Sequence, residues 1–198
     1  MLFRSAVVFA LLATFAAAQP WPQARPIRMI VPTSAGLGTD ITARWMAESI
    51  QKALGQQIVV ENIASAGGVA GAQAAARAAP DGYTFFFANG SALTSNQYLI
   101  ANIRYDPAKD FESVAILTVG APFVFAANPN EPYKNVKELI AYAKANPGKL
   151  TYYSVGPGSA HHLVGESLLS LSGTEMVHVP YRGSSNAVPD FKIGRAHV

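Results

Sequence analysis

The sequence predicts an α/β protein that folds as two lobes with a cleft between them. Strand and helix patterns alternate along the chain, once before about residue 115 and again after about residue 120. Hydrophobic residues make up 50% of the 198 residues and charged residues 14%, a composition ample for buried cores and too apolar for a disordered chain. Parallel strands need crossover connections, so repeated strand, loop and helix patterns favour parallel sheets covered by helices.

The first lobe is predicted over residues 19–118. A helix over 40–54 has apolar residues at helical spacing and ends at Gly55, which suits a left-handed C-terminal cap. An alanine-rich helix over 69–79 is expected to end at Pro80, because proline disrupts a helix interior. Short apolar or aromatic runs predict strands at 26–31, 57–60, 83–88 and 113–119. One further short helix is expected through residues 98–100.

A partial second lobe is predicted over residues 119–191. Asn135 is expected to cap a helix, with Glu138 three residues later as its capping-box partner. Another helix is predicted over 161–171 and ends at Gly173. The strands of this lobe are predicted at 123–127, 150–155 and 176–180.

Composition and charge exclude several classes of protein. The chain has no cysteine, which rules out disulfide scaffolds, Cys-ligated zinc, iron–sulfur clusters and cysteine nucleophiles. The formal net charge of +3 comes from Arg4, Lys192 and Arg195, because residues 19–191 hold twelve cationic and twelve anionic side chains. Lys and Arg form no stripe and do not alternate with aromatic residues, so nucleic acid is not an expected partner.

Residues 1–18 have the pattern of a secretory signal peptide. Arg4 supplies the positive amino-terminal region, residues 6–17 are almost entirely apolar, and Ala16 and Ala18 form a small-x-small cleavage pattern. A membrane anchor is the alternative, whereas a lipoprotein leader would need a cysteine. We expect export to the periplasm with cleavage after Ala18, and no later segment is long and apolar enough to span a bilayer.

Residues 192–198 are expected to be a non-native tail. Their sequence, Lys-Ile-Gly-Arg-Ala-His-Val, matches the translation of a common sequencing-adapter read-through, and the preceding pattern stops within an element. An ordinary polar tail is the alternative. On the first interpretation the gene continues past Asp190 with a different sequence, and the second lobe is incomplete here.

Three loops built from small residues follow predicted strands and precede predicted helices, where open parallel sheets bind ligands. They cover residues 33–39, 89–91 and 156–159, and Ala66-Gly67-Gly68 precedes a further helix. Each loop alone is also typical of a tight turn. Their backbone N–H groups and short hydroxyls, beside positive helix N-termini, together favour an anionic ligand.

The first loop does not match a nucleotide-binding motif. Walker A requires a lysine after its last glycine, whereas Gly38 is followed by Thr39 and Asp40. A dinucleotide-binding glycine pattern is also absent, since Ile41 occupies the third glycine position. Asp40 either favours the helix dipole from the first turn or hydrogen-bonds the loop.

The histidines and serines do not predict a metal, a cofactor or catalysis. His161 and His162 are adjacent, so their side chains diverge on a helix and cannot share a zinc ion. His178 falls in a predicted strand and is assigned a structural role. Ser159 has neighbouring histidines but lacks the nucleophile-elbow pattern, which leaves an exported α/β hydrolase using Ser159 and a histidine as the alternative.

Short motifs over residues 21–190 occur in the order and spacing of one family. They are PIRMIVP at 26–32, GTD at 38–40, AR at 43–44, VVEN at 59–62, AGG at 66–68, APDGYT at 79–84, YDP at 105–107, DF at 110–111, GKLTY at 148–152, GPGSAHH at 156–162 and VHVPY at 177–181. In these motifs the chain resembles the extracytoplasmic substrate-binding proteins of tripartite tricarboxylate transporters, the Bug family. Family members are longer, and their first loop is richer in Pro and Gly, so Leu37 would narrow the pocket.

The resemblance implies a two-lobed periplasmic binding protein fold of the type II kind, with its second lobe incomplete here. It implies that the lobes close on a small carboxylate, held mainly by backbone amides, small hydroxyls and water, and that a membrane permease receives it. We expect a monomer, and a ligand sensor for a signalling partner is an alternative role. Carried over by position, the ligand-binding residues are Thr33, Ser34, Ala35, Gly36, Leu37, Gly38, Thr39, Ala66, Gly67, Asn89, Gly90, Ser91, Ser154, Gly156, Gly158, Ser159, Tyr181, Arg182 and Gly183.

Overall fold

The computed structural model of this chain describes residues 20–117, 123–181 and 184–192, which hold two separate parallel sheets. Several sequence predictions fall outside these residues. They are the signal peptide, the lobe boundary at 118–119, the site residues Arg182 and Gly183, and the tail beyond Lys192.

The first sheet has three parallel strands, with β1 (Ile27–Val31) between β2 (Ile58–Asn62) and β3 (Thr84–Phe86). The central position of β1 explains its apolar sequence, because both edges are paired and its side chains Ile27 and Ile30 are fully buried. The three strand predictions are therefore confirmed, with ends shifted by one or two residues.

Helix α1 (Gly38–Leu54) packs on this sheet and begins two residues before its predicted start. Its small residues Ala43 and Ala47 pack against Met29 and Val31, which lets the helix lie close to the sheet. Gly55 ends the helix in the left-handed conformation, as predicted.

The middle of the first lobe contains shorter helices. A single 3₁₀ turn (Ala66–Gly68) leads into α2 (Val69–Ala76), which ends three residues before the predicted position. Two one-turn helices follow, α3 (Gly90–Leu93) and α4 (Asn96–Leu99). The helix predicted through 98–100 is thus α4, and Ile100 lies just beyond its end.

The second sheet consists of two parallel strands, β4 (Thr151–Ser154) and β5 (Val177–Pro180). Helices α5 (Val136–Ala145) and α6 (Ala160–Ser172) accompany it. These four elements confirm the sequence predictions to within two residues at most ends. A core of Tyr133, Leu139, Ala143, Leu150 and Tyr152 lies between them.

The capping box of α5 forms, with one difference from the predicted arrangement. The Asn135 side chain accepts a hydrogen bond from the Glu138 N–H group at 3.0 Å, as expected. The Glu138 carboxylate does not reach back to the Asn135 backbone but accepts from the Lys134 N–H group at 2.8 Å. The hydrogen bond that fixes the start of the helix therefore comes from Lys134, one residue before the predicted Asn135.

Two predicted strands are wrong where the structure describes them. Residues 113–117 and 123–127 have no regular secondary structure, although their sequences are rich in β-branched and aromatic residues. An extended segment becomes a strand only when a neighbouring backbone pairs with it, and no described strand pairs with either segment. A helix that the sequence analysis did not predict, α7 (Ser184–Lys192), contains Pro189, which weakens its helical pattern.

Within residues 20–117, 123–181 and 184–192, no helix combines the length and apolar character required to cross a bilayer.

We predict that Gly165→Ala destabilises the protein. A Cβ at Gly165, inside α6, would lie 2.4 Å from Cε2 of the buried Tyr152 ring, so the helix must move away from β4. Such overpacking lowers the free energy of unfolding by about 1–3 kcal/mol, which outweighs the higher helix propensity of alanine. Urea denaturation measures the change.

The matched control is Gly38→Ala at the start of α1. A Cβ built there has no atom within 4 Å, so we expect no loss of stability. Equal stability of Gly165→Ala and the wild type would contradict the packing described for α6 and β4.

Candidate functional site

Loops from the two lobes are in direct contact. The Ala160 N–H group, at the start of α6, donates a hydrogen bond to Ser91 Oγ at 3.1 Å. Gly156 comes so close to the first lobe that a Cβ built on it would lie 2.9 Å from the Ala66 Cβ. The same Cβ would lie 3.7 Å from the Tyr181 carbonyl oxygen, which follows β5. The structure therefore brings together backbone from four of the predicted site segments.

Within the first lobe, the predicted segments 66–68 and 89–91 also meet. A Cβ on Gly68 would lie 3.0 Å from Asn89 Nδ2 and 2.9 Å from the Pro32 Cβ. Pro32 directly follows β1, so three strand ends of the first sheet converge at this point. This convergence is what the strand–loop–helix pattern predicted for a parallel sheet.

The first loop, 33–39, is fixed by the buried carboxylate of Asp40. Asp40 Oδ2 accepts from the Gly36 N–H group at 2.8 Å, and Arg44 Nε lies 3.0 Å from both carboxylate oxygens. Asn62 Nδ2, at the end of β2, donates to Asp40 Oδ1 at 2.8 Å and to the Thr33 carbonyl at 3.0 Å. The interpretation that Asp40 hydrogen-bonds the loop is therefore confirmed.

These partners keep Asp40 ionised although its side chain is only 2% exposed. Burial opposes ionisation, but hydrogen bonds from Arg44, Gly36 and Asn62 outweigh it and hold the pKa of Asp40 below its ordinary value. The negative charge of Asp40 is thus directed at its own partners, which reduces its repulsion of an anion at the loop.

Helix α1 begins without a side-chain cap. Leu37 stands at its N-cap position and cannot accept a hydrogen bond from the first turn, unlike Asn89, which caps Ala92, and Ser159, which caps His162. The first backbone N–H groups of α1 therefore have no capping side chain, and they lie at the positive end of the helix dipole. The neighbouring Thr33 Oγ1 is buried and also has no partner among the described residues.

The predicted site residues differ in what their side chains do. Ser154 is 1% exposed, and its Oγ accepts from the Gly156 N–H group at 3.1 Å, so it supports the loop from below. Ser159 is 2% exposed and accepts from the His162 N–H group at 3.2 Å. The Tyr181 hydroxyl donates to Asp190 Oδ2 at 2.8 Å. The residues of the first loop are more accessible, with Ala35, Gly36 and Gly38 exposed.

The adjacent histidines diverge, as the sequence predicted. His161 makes an edge contact with Phe123, whereas His162 stacks on His178 with ring centroids 4.2 Å apart. His178 Nε2 lies 2.7 Å from Ser154 Oγ, so the serine that pairs with a histidine is Ser154 and not Ser159. Ser154 is buried beneath the loop, whereas His178 is half-buried. Among the described residues, no three histidine, aspartate or glutamate side chains group as a metal site would require.

The environments of His161 and His178 favour neutral imidazole. Burial and then the neighbouring His162 lower the pKa of His178, while Glu166 acts in the opposite direction. Burial also lowers the pKa of His161. The Gly158 N–H group donates to His162 Nδ1 at 3.3 Å, a bond that needs Nδ1 unprotonated. The rings of His162 and His178 thus hold the loop of the second lobe by hydrogen bonds and stacking.

Two cavities adjoin residues 123–127 in the second lobe. One of about 250 Å³ is lined by Asn128 and Tyr133 among others, and burial raises the pKa of Tyr133 to about 12. The other, of about 120 Å³, is lined by Tyr152 and His161 among others. None of the predicted site residues lines either cavity, so neither measures the space for a ligand between the lobes.

Two asparagines belong to the site but were not singled out from the sequence. Asn62 is the last residue of the VVEN motif, and its place at the end of a strand was the available signal. Asn96, at the start of α4, had no sequence signal, because an asparagine in a short polar run is usually exposed. Here Asn96 is completely buried beside Gly67.

The sequence is similar to a known protein family and to several curated proteins. Residues 42–198 match the tripartite tricarboxylate transporter family receptor. A curated Cupriavidus necator protein, the UPF0065 protein in the gbd 5' region, is 41% identical over 173 residues, which is 87% of this chain and 52% of that protein. The chain spans about half the length of the curated relatives it matches.

Solved structures show the same fold. The periplasmic binding protein BugD is 33% identical with a TM-score of 0.75, over 89% of this chain and 58% of that one. The R. palustris protein Rpa4515 with adipate is also 33% identical, with a TM-score of 0.84 over the same shares of the two chains. The fold is thus that of a periplasmic binding protein, and the coverage agrees with an incomplete second lobe.

We predict that Asp40→Asn destabilises the first lobe. The substitution leaves Arg44 and the Gly36 N–H group without their charged acceptor, which lowers the free energy of unfolding by about 1–3 kcal/mol. Because the pKa of Asp40 is lower in the folded state, its contribution is complete above the unfolded-state pKa and is lost as pH falls through the folded-state value. The stabilities of the wild type and the variant should therefore begin to converge as pH falls below about 4.

Denaturant titrations at pH 7 and in acid measure this difference. Glu48→Gln is the matched control, because Glu48 lies on the same helix but pairs with Lys52 in solvent. We expect no measurable change for the control. If Asp40→Asn were as stable as the wild type at pH 7, the carboxylate would not be what holds the loop.

Proposed function

The chain belongs to the tripartite tricarboxylate transporter receptor family, and we propose that the whole protein captures a small carboxylate between its two lobes. Its relatives are receptors and binding proteins rather than enzymes. The neighbour Rpa4515 was solved with adipate, a dicarboxylate, which supports this ligand class.

The direct contact of the α6 N-terminus with the first lobe is the observation that carries the proposal. The N-terminus of α1 has no side-chain cap, and the N-terminus of α6 reaches the first lobe through Ala160. Helix N-termini supply N–H groups and partial positive charge, the two features that bind carboxylates. No lysine is needed in such a site, in keeping with the balanced charge of residues 19–191.

The contact between Ala160 and Ser91 suggests how binding proceeds. In this structure the Ser91 hydroxyl accepts a hydrogen bond from the Ala160 N–H group, so the lobes touch at the proposed ligand position. A carboxylate oxygen is a stronger acceptor for an N–H group than a hydroxyl. The ligand therefore enters when the lobes separate, and its carboxylate takes the place of the Ser91 oxygen as they close again.

The remaining parts of the proposal follow from the family. The lobes are assigned to residues 19–118 and 119–191, with the binding residues carried over from the family on the loops between them. A monomeric protein exported by the signal peptide at 1–18 would deliver its ligand to the permease subunits of a tripartite transporter in the periplasm. The tail at 192–198 takes no part in this function.

We predict that carboxylates, and not their neutral analogues, stabilise the full-length protein. Succinate, glutarate and adipate are compared with their diamides, which have similar shapes and no charge. A carboxylate at a hundredfold excess over its Kd adds about 2.7 kcal/mol to stability and should raise Tm by several degrees. Equal shifts with acid and diamide, or none with any mono-, di- or tricarboxylate, would contradict the proposal.

We also predict that Gly158→Val weakens carboxylate binding tenfold or more. Gly158 has a φ of +76°, which a β-branched residue adopts only under strain, so the loop and its N–H donors would shift. Losing one hydrogen bond to a charged group corresponds to about 1.5–3 kcal/mol, or at least about tenfold in affinity. Titration calorimetry measures the affinities.

Two controls separate loop geometry from general damage. Gly148→Val imposes the same strain, at a φ of +69°, in a turn with no atom near its Cβ, so it should reduce stability without reducing affinity. His161→Ala removes one ring at the edge of Phe123 and should change affinity less than Gly158→Val. If His161→Ala alone abolished binding, the backbone-donor account would be wrong.

A further inference from the structure

The Asn96 side chain is buried at the lobe contact with a fixed orientation. Asn96 Nδ2 donates to the Gly67 carbonyl at 2.9 Å and lies 3.3 Å from the Tyr105 hydroxyl oxygen. Tyr105 donates its own proton to the Ala92 carbonyl at 2.7 Å, so its lone pair faces Asn96. The nitrogen of the amide must therefore face Gly67 and Tyr105, and Oδ1 points the other way.

Asn96 Oδ1 has no hydrogen-bond partner among the described residues, although the side chain is completely buried. A Cβ on Gly67 would lie 2.7 Å from this oxygen, and a Cβ on Gly158 would lie 3.7 Å from it. One glycine of each lobe thus borders the oxygen. Buried carbonyl oxygens are nearly always paired, because burial removes their water partners. An unpaired acceptor between the lobes points to a donor that arrives with the ligand.

The chemistry around Asn96 restricts that donor. The proposed site also holds backbone N–H groups, such as that of Ala160 at the start of α6, and they suit carboxylate oxygens. A carboxylate offers only acceptors, so it would repel Oδ1 and cannot pair with it. A hydroxyl group on the same ligand can donate to Oδ1 while the carboxylate accepts from the N-terminus of α6.

We propose that Asn96 accepts a hydrogen bond from a hydroxyl group of the ligand, so that the site selects hydroxycarboxylates over the same carboxylates without the hydroxyl. This inference rests on the proposed carboxylate-binding function and adds Asn96 as a specificity-determining residue of that site. A site that pairs with a ligand hydroxyl disfavours analogues that leave its acceptor unpaired. One neutral hydrogen bond corresponds to a preference of about tenfold.

Matched ligand pairs on the full-length wild-type protein test the preference without any substitution. The pairs are propionate and lactate, succinate and malate, and glutarate and 2-hydroxyglutarate, each measured by calorimetry. In the pair that binds, we expect the hydroxylated member to bind about tenfold more tightly. The 2-fluoro analogue of that ligand, which has no O–H donor, should bind like the unsubstituted acid.

Two substitutions assign the preference to the Asn96 oxygen. Asn96→Ala removes the acceptor, so the affinity ratio of hydroxylated to unsubstituted ligand should fall to within about twofold. Tyr105→Phe removes a partner of Nδ2 but leaves Oδ1 in place, so it should lower stability while keeping the ratio. A ratio is informative here because a merely loosened site weakens both members of a pair alike.

The outcomes separate this inference from the function on which it rests. Absence of binding by every carboxylate overturns the proposed function and this inference with it. Binding with equal affinity within each pair, or equal binding of the hydroxy and fluoro ligands, overturns only the role of Asn96. A preference that survives in Asn96→Ala does the same. If that variant does not fold, the hydroxy, fluoro and unsubstituted series on the wild type decides.

Discussion

The close approach of bare backbone between the lobes is the constraint on which the rest of this structure depends. Gly156 meets Ala66 at a distance that leaves no room for a Cβ. The contact from Ala160 to Ser91 lies beside it and involves a backbone N–H group. Main chain and small side chains supply these contacts, so a ligand bound there, as proposed, would be recognised mainly by the direction of N–H groups. The scaffold must therefore hold those loops rigidly, since few side chains are available to adapt.

Each lobe supports its loops with a buried polar network, and the two networks use different chemistry. In the first lobe an ionised carboxylate, Asp40, collects donors from the loop, from its own helix and from β2. In the second lobe, neutral rings and hydroxyls do the same: His178 contacts Ser154, and Ser154 accepts from the loop at Gly156. A charged support is indifferent to pH near neutrality, whereas a support that includes imidazole depends on the ring staying neutral. As pH falls, protonation of His178 therefore affects the second lobe before protonation of Asp40 affects the first.

The sequence was sufficient for local structure and for the placement of loops, because both follow from patterns within a few residues. The helix ending at Gly55 and the cap at Asn135 are examples. It failed at 113–117 and 123–127, because strand formation depends on a distant partner that the segments do not specify. Asn96 was missed for a related reason, since its burial arises from contacts with Gly67 and Tyr105 that only folding brings together. The positions of the loops could be predicted, but the directions of their N–H groups could not.

The two irregular segments have a consequence for the behaviour of the chain in solution. Val114, Ile116 and Val124 are 77%, 79% and 82% exposed, on stretches whose composition favours strands. Unpaired backbone beside apolar side chains is a template for intermolecular strand pairing, which is the first step of aggregation. The tendency of these residues to self-associate grows with concentration, independently of how well the two cores are packed. These segments therefore lower the solubility of the chain, and a charged residue introduced there would act as a gatekeeper outside the predicted ligand-binding loops.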